Sequence, residues 1–147
     1  MVVVNTDIDI NYWAVLLAAV SSMIVGSLWY MPAIFGRAWM KMTGVKMNQK
    51  MSAGKSAWMF GSVFVSSLVT AYVLAHMTFM AHKFFGTNSF LSDALQTAFW
   101  LWLGFTAVRL YVHDTFEGRR KKLTLLNAAH ELATMLVMAL IIGVLHP

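Results

Sequence analysis

The chain has no cysteine, which excludes disulfides, thiolate-held metals, iron–sulfur clusters and a cysteine nucleophile. Charge is scarce: Asp, Glu, Lys and Arg make up 12% of the residues, about half the usual share for a soluble domain. No Gly-rich phosphate loop, serine elbow or two-histidine zinc helix is present, so no enzyme signature stands out. The first nine residues carry Asp7 and Asp9 but no Lys or Arg. A secretory signal starts on a basic segment, so the first apolar stretch is expected to be a permanent span.

Four long apolar stretches fill most of the 147 residues: Tyr12–Met31, Ala57–Met80, Leu91–Val112 and Leu123–Leu145. Each has about twenty residues or more, enough to cross a hydrocarbon core of roughly 30 Å. The expected fold is therefore all-α, a single membrane domain over residues 1–147 built as a bundle of four transmembrane helices. No length remains for a soluble domain.

The basic residues set the expected orientation. Arg37, Lys41, Lys46, Lys50 and Lys55 fall between the first and second stretches, and Arg119, Arg120, Lys121 and Lys122 between the third and fourth. The other side has Lys83 against Asp7, Asp9 and Asp93. The positive-inside rule puts both basic loops in the cytoplasm and both termini outside, in a cell's inner membrane. The net charge of +5 is thus a topology signal and not a sign of nucleic acid. Pro32 ends the first helix. The mixed apolar and basic segment 34–43 suits an interfacial helix, with Trp39 at headgroup depth and Arg37, Lys41, Arg119 and Arg120 meeting anionic lipid.

Small residues at four-residue spacing mark close-packing faces: Ala14, Ala18, Ser22 and Gly26; Ser62, Ser66 and Thr70; Ala129 and Ala133, then Ala139 and Gly143. These stripes serve a tight antiparallel bundle or a dimer, and four helices enclose little, so a homo-oligomer is expected.

Ionisable groups within spans are costly and become functional candidates. Arg109, His113, Asn127, His130 and Glu131 form one such group. Arg109 and Glu131 fall at similar depth on facing helices and are expected to pair; Arg109 and His113 share a face with Thr106, as do Asn127 and Glu131. The pair is read either as a structural clamp or as a proton- or anion-handling site in which Glu131 titrates. His76, Met80 and His82 are a weaker constellation. Imidazole with thioether suits Cu(I), but the chain has 12 methionines, most of them apolar filler. Met47 and Met51 are weaker again, and Tyr72 can satisfy His76. Neither a metal nor another cofactor is expected. Of the mid-span tryptophans, Trp100 and Trp102 face different directions, one toward lipid and one inward.

Three runs carry a resemblance: Asn11–Val15, Gly26–Tyr30 and Phe35–Met40. With Trp100–Phe105, Phe116–Arg119 and Leu126–Ala128, they resemble an uncharacterised bacterial membrane family, domain of unknown function seventeen sixty-one. The likeness covers nearly the whole chain. It implies a small four-span protein and no activity, substrate or cofactor. The fourth span departs from the family pattern at Ala129–His130, and the Arg109, His113 and Glu131 positions are not family hallmarks. The leading functional expectation is a small transport or permeation protein using the Arg–Glu–His cluster. The alternative is a non-catalytic accessory or scaffold subunit of a larger membrane complex, and an enzyme acting on lipid or quinone comes third.

Overall fold

A computed structural model describes residues 8–46, 51–86 and 88–147; Asp7, Met47 and Lys50 lie outside them. The fold is all-α, with no strand among the described residues. Asn11 caps α1 (Tyr12–Trp29), its side-chain oxygen accepting from the Trp13 and Ala14 amides. Its amide nitrogen donates to the Leu145 carbonyl at 2.9 Å, tying the start of the first helix to the end of the last. Pro32 opens a π-helical turn, Pro32–Gly36, that runs into α2 (Arg37–Thr43). This helical segment lies where the interfacial helix is expected. Ser52 caps α3 (Ala53–Phe85), which ends on Gly86 with a φ of 60°. At 33 residues it is about 50 Å long, well beyond the expected 57–80. Ser89 caps α4 (Phe90–Leu101). A second π-helical stretch, Trp102–Ala107, joins it to α5 (Val108–Phe116), so helix is unbroken from Phe90 to Phe116. Gly118, with a φ of 65°, turns the chain into α6 (Lys121–Val144).

Three helices, α1, α3 and α6, are long and apolar enough to cross a membrane. The stretch expected to be the third span is the one divided by the π-helical residues.

α6 packs between α1 and α4, and α3 packs against the other side of α1 and α4. The core is made of alanines, among them Ala18, Ala19, Ala71, Ala94, Ala98 and Ala139, closed by Leu74, Met138 and Ile142. Small side chains let backbones approach, the contact that favours helix association where lipid removes the hydrophobic drive. Gly143 shows how tight this is: a methyl there would stand 2.8 Å from Leu91 Cα and 3.3 Å from Ala94 Cβ. Gly143→Ala is therefore expected to lower stability in a thermal or denaturant melt by about 1–3 kcal/mol, the cost of overpacking. Gly61→Ala, whose methyl meets nothing, is expected to gain up to about 1 kcal/mol from helix propensity. Equal melts for the two variants would show that the α4–α6 contact is looser than described.

The small-residue stripes divide. Ala14, Ala18 and Ser22 are buried, and Ser22 donates to Ser67 of α3 at 2.7 Å. Ser62, Ser66 and Thr70 are exposed, each bonded to a carbonyl one turn back in its own helix. Those hydroxyls satisfy themselves locally, and α3 packs instead through Ala71, Leu74, Ala75 and Thr78.

That burial is confined to one half of α3. No residue from Ala53 to Thr70 is buried, and no Cα of α3 comes within 8 Å of Trp102–Ala107 or α5. The bundle is thus closed at the end that holds α4 and open at the basic end, where α3 stands away from α5.

Candidate functional site at the basic end of the bundle

On α6, Met135, Met138 and Ile142 come four, seven and eleven residues after Glu131. This spacing puts all four on one line along the helix. The first three named are buried. Glu131 is 44% exposed, because at its level the facing half of α3 has left the bundle. A carboxylate on the core-facing line of a helix thus opens outward rather than into packed alanines.

His130, beside it, is only 14% exposed. Its ring lies against Tyr30 and Trp29, with centroids 5.0 and 5.9 Å away. Nδ1 stands 3.4 Å from Glu131 Oε1, and Nε2 stands 3.4 Å from the Thr134 hydroxyl. The ring also packs close to Gly26, where an added methyl would sit in ordinary contact, 3.5 Å from Nε2. Tyr30 is held in turn by donating to Asn127 Oδ1 at 3.1 Å. Each ring nitrogen thus has a polar neighbour, and for Nδ1 that neighbour is the carboxylate.

Thr106, Arg109, His113 and Glu131 line one groove of about 270 Å³ between α6 and the Trp102–Phe116 segment, with Phe105 and Leu110 as its apolar lining. Of the expected set, Arg109, His113 and Glu131 meet in this groove; Asn127 serves Tyr30 instead, and His130 lies beside Glu131 with its ring against Trp29 and Tyr30. The expected Arg109–Glu131 ion pair is not made. Among the described residues no Arg109 nitrogen lies within 4.0 Å of a carboxylate. The π-helical stretch supplies the reason, because i→i+5 bonding inserts a residue into the turn and rotates the helix beyond it. Trp102 anchors that rotation by donating its indole N–H to the Ala128 carbonyl at 2.8 Å, while Trp100 is 64% exposed. Arg109 lines the groove without a carboxylate partner among the described residues, and His113 stands 3.6 Å from Glu117.

Sequence reasoning missed the clamp on His130, since Trp29 and Tyr30 read there as boundary anchors. It also missed two carboxylates. Asp114 is buried in the basic hairpin, accepting from Thr124 Oγ1 at 2.6 Å and standing 3.7 Å from Arg119 Nε. Arg119 also donates to Glu117 at 2.6 Å. Asp93 is buried at the far end, with His82 Nδ1 at 2.7 Å. The only signal for them was their i→i+10 and i→i+11 spacing across helix hairpins.

The second constellation is not assembled. His76 Nδ1 contacts the Tyr72 carbonyl at 2.9 Å, and the two rings lie 4.1 Å apart. His82 is engaged by Asp93, and Met80 is exposed. Among the described residues no group of three or more His, Asp or Glu could hold a metal ion.

Fold and site together define an all-α protein with membrane-length apolar helices and a polar groove at its basic end. Residues 13–143 match the family described as protein of unknown function, DUF1761, and the chain belongs to that family. No curated protein and no solved structure matches it.

Proposed function

We propose that the chain is a four-span protein of a cell's inner membrane and a small transport or permeation protein. Its basic loops face the cytoplasm, and it admits protons and anions from that side to Glu131. One observation carries this reading: a carboxylate on the core-facing line of α6 is open at the basic end and stands 3.4 Å from a mostly enclosed imidazole, 14% exposed. Such a pair passes a proton between an accessible and an enclosed position, and Arg109 supplies the countercharge for an anion in the same groove. The continuous helix Phe90–Phe116, about 40 Å long, supports a fourth crossing. The alternating basic and acidic ends support the orientation.

The alanine core closes the opposite end, so one copy in this conformation holds a one-sided vestibule. Transport requires either movement of α3 or a second copy that completes the path. The exposed half of α3, with Trp58, Phe60 and Val63 outward, favours a homo-oligomer. The same face supports the second reading, an accessory subunit docked in a larger complex. Arg37, Lys41 and Arg120 are exposed at the basic end and suit anionic headgroups; Arg119 contributes less, being engaged by Glu117 and Asp114.

The test is flux. Protein reconstituted into vesicles carrying a pH-sensitive dye is expected to collapse an imposed pH gradient faster than protein-free vesicles, at a rate set by the anion supplied. Rates equal to those of empty vesicles would leave the accessory reading in place.

A further inference from the structure

A second groove, at the closed end of the bundle, is distinct from the Glu131 site and does not rest on its reading. It lies between α3 and α4, holds about 410 Å³, and is lined by Asn88, Asp93, Gln96 and Thr97 together with Phe85 and Trp100. That volume is in the range of small-molecule sites.

Its lining holds one carboxylate and no Lys or Arg. Asp93 is the charged side chain in the lining, and it is 95% buried, being 5% exposed. Its Oδ2 takes His82 Nδ1 at 2.7 Å and its Oδ1 takes Asn88 Nδ2 at 3.2 Å. A carboxylate has about four acceptor positions, so these two contacts leave acceptor capacity toward the groove. Gln96 donates to Ser92, which leaves its carbonyl oxygen free as a further acceptor. Lys83, the one Lys or Arg between Lys55 and Arg109, is turned elsewhere, with Nζ over the Phe79 ring at 5.3 Å. The aromatic walls, Phe85 and Trp100, are each 64% exposed, and ring faces attract ammonium groups. The groove also runs into the apolar belt of the helices, so its occupant must have an apolar part.

We propose that this groove binds an amphiphile with a cationic amine headgroup, the amine at Asp93 and the tail along Trp100. A zwitterionic phospholipid fits less well, because its phosphate lies two carbons from the amine and meets no Lys or Arg in the lining. The His82–Asp93 contact then serves two ends: it clamps the α3–α4 hairpin and holds the carboxylate in place for the amine.

The experiment measures binding of three amphiphiles with the same twelve-carbon tail to the purified full chain in a neutral detergent. The probes are dodecylammonium, dodecylphosphoethanolamine and dodecyl sulfate. The ammonium probe is expected to saturate one site at least about tenfold more tightly than the other two. Asp93→Asn, which keeps the shape and removes the charge, is expected to erase that preference. Ala81→Phe puts a ring into the groove and leaves the Asp93 charge in place, and it is expected to abolish saturable binding; it decides the matter if Asp93→Asn does not fold. Equal binding of the three probes, or ammonium binding unchanged by Ala81→Phe, would overturn the proposal. Neither outcome bears on flux through the Glu131 site.

Discussion

Glu131→Gln is expected to reduce proton flux in reconstituted vesicles at least about 100-fold, the lower range for removing a positioned proton-transfer group. The substitution changes little else. Glutamine has the same shape and keeps an oxygen facing His130 Nδ1, now 3.4 Å from Glu131 Oε1, so the imidazole stays clamped by Tyr30, Trp29 and Thr134. What disappears is a group that exchanges a proton with water at the open end. Because the side chain is 44% exposed, stability should move by no more than about 0.5 kcal/mol, which separates loss of function from loss of fold. Glu131→Asp retains the proton and shortens the reach to His130, so an intermediate rate is expected. Unchanged flux in Glu131→Gln vesicles would make the carboxylate structural.

Gly36→Ala is expected to cost about 3 kcal/mol, the upper part of the range for overpacking, although it adds a single methyl. The reason is space, since φ at Gly36 is an ordinary −59°. The new carbon would stand 2.2 Å from the Tyr30 carbonyl oxygen and 2.7 Å from Met31 C. Both are backbone atoms that cannot rotate away. The turn closed by the Gly36 amide on the Met31 carbonyl at 2.9 Å must open, and α2 must shift. Trp39 then leaves Tyr30, whose ring it meets at 5.5 Å, and Tyr30 loosens from Asn127 and His130. A lower melting temperature with greater quencher access to tryptophan is the expected result. A melt equal to that of the parent chain would show that the Pro32–Gly36 turn is not packed this closely.

The broad architecture was legible because hydropathy dominates this sequence. Runs of about twenty apolar residues force helix in a bilayer, and Pro32 with Gly36–Arg37 marks where the first helix stops and an amphipathic segment begins. The groove residues Thr106, Arg109 and His113 were legible as one face by helical spacing. What spacing could not reveal was phase. The π-helical stretch over Trp102–Ala107 holds Gly104 and no proline, and a lone glycine in an apolar span reads as a packing residue; the Arg109–Glu131 ion pair that an uninterrupted helix suggests is not made beyond it. Nor could periodicity show that α3 leaves the bundle halfway, since Ser62, Ser66 and Thr70 keep the same four-residue spacing as the packed residues of α1. The buried carboxylates Asp93 and Asp114 were hidden for a related reason: each is satisfied across a hairpin, by His82 and Thr124, and only the folded turn brings those partners within reach.

The bundle is open at Glu131 on the basic side and closed two turns further along α6, at Met138. The chain has no cysteine of its own, so single thiols can be placed by Glu131→Cys and Met138→Cys and probed in sealed vesicles of known orientation with a membrane-impermeant maleimide. Reaction is expected at position 131 when the reagent meets the basic-loop side, none there from the opposite side, and none at position 138 from either. Equal reaction at the two positions, or entry to position 131 from the opposite side, would contradict it.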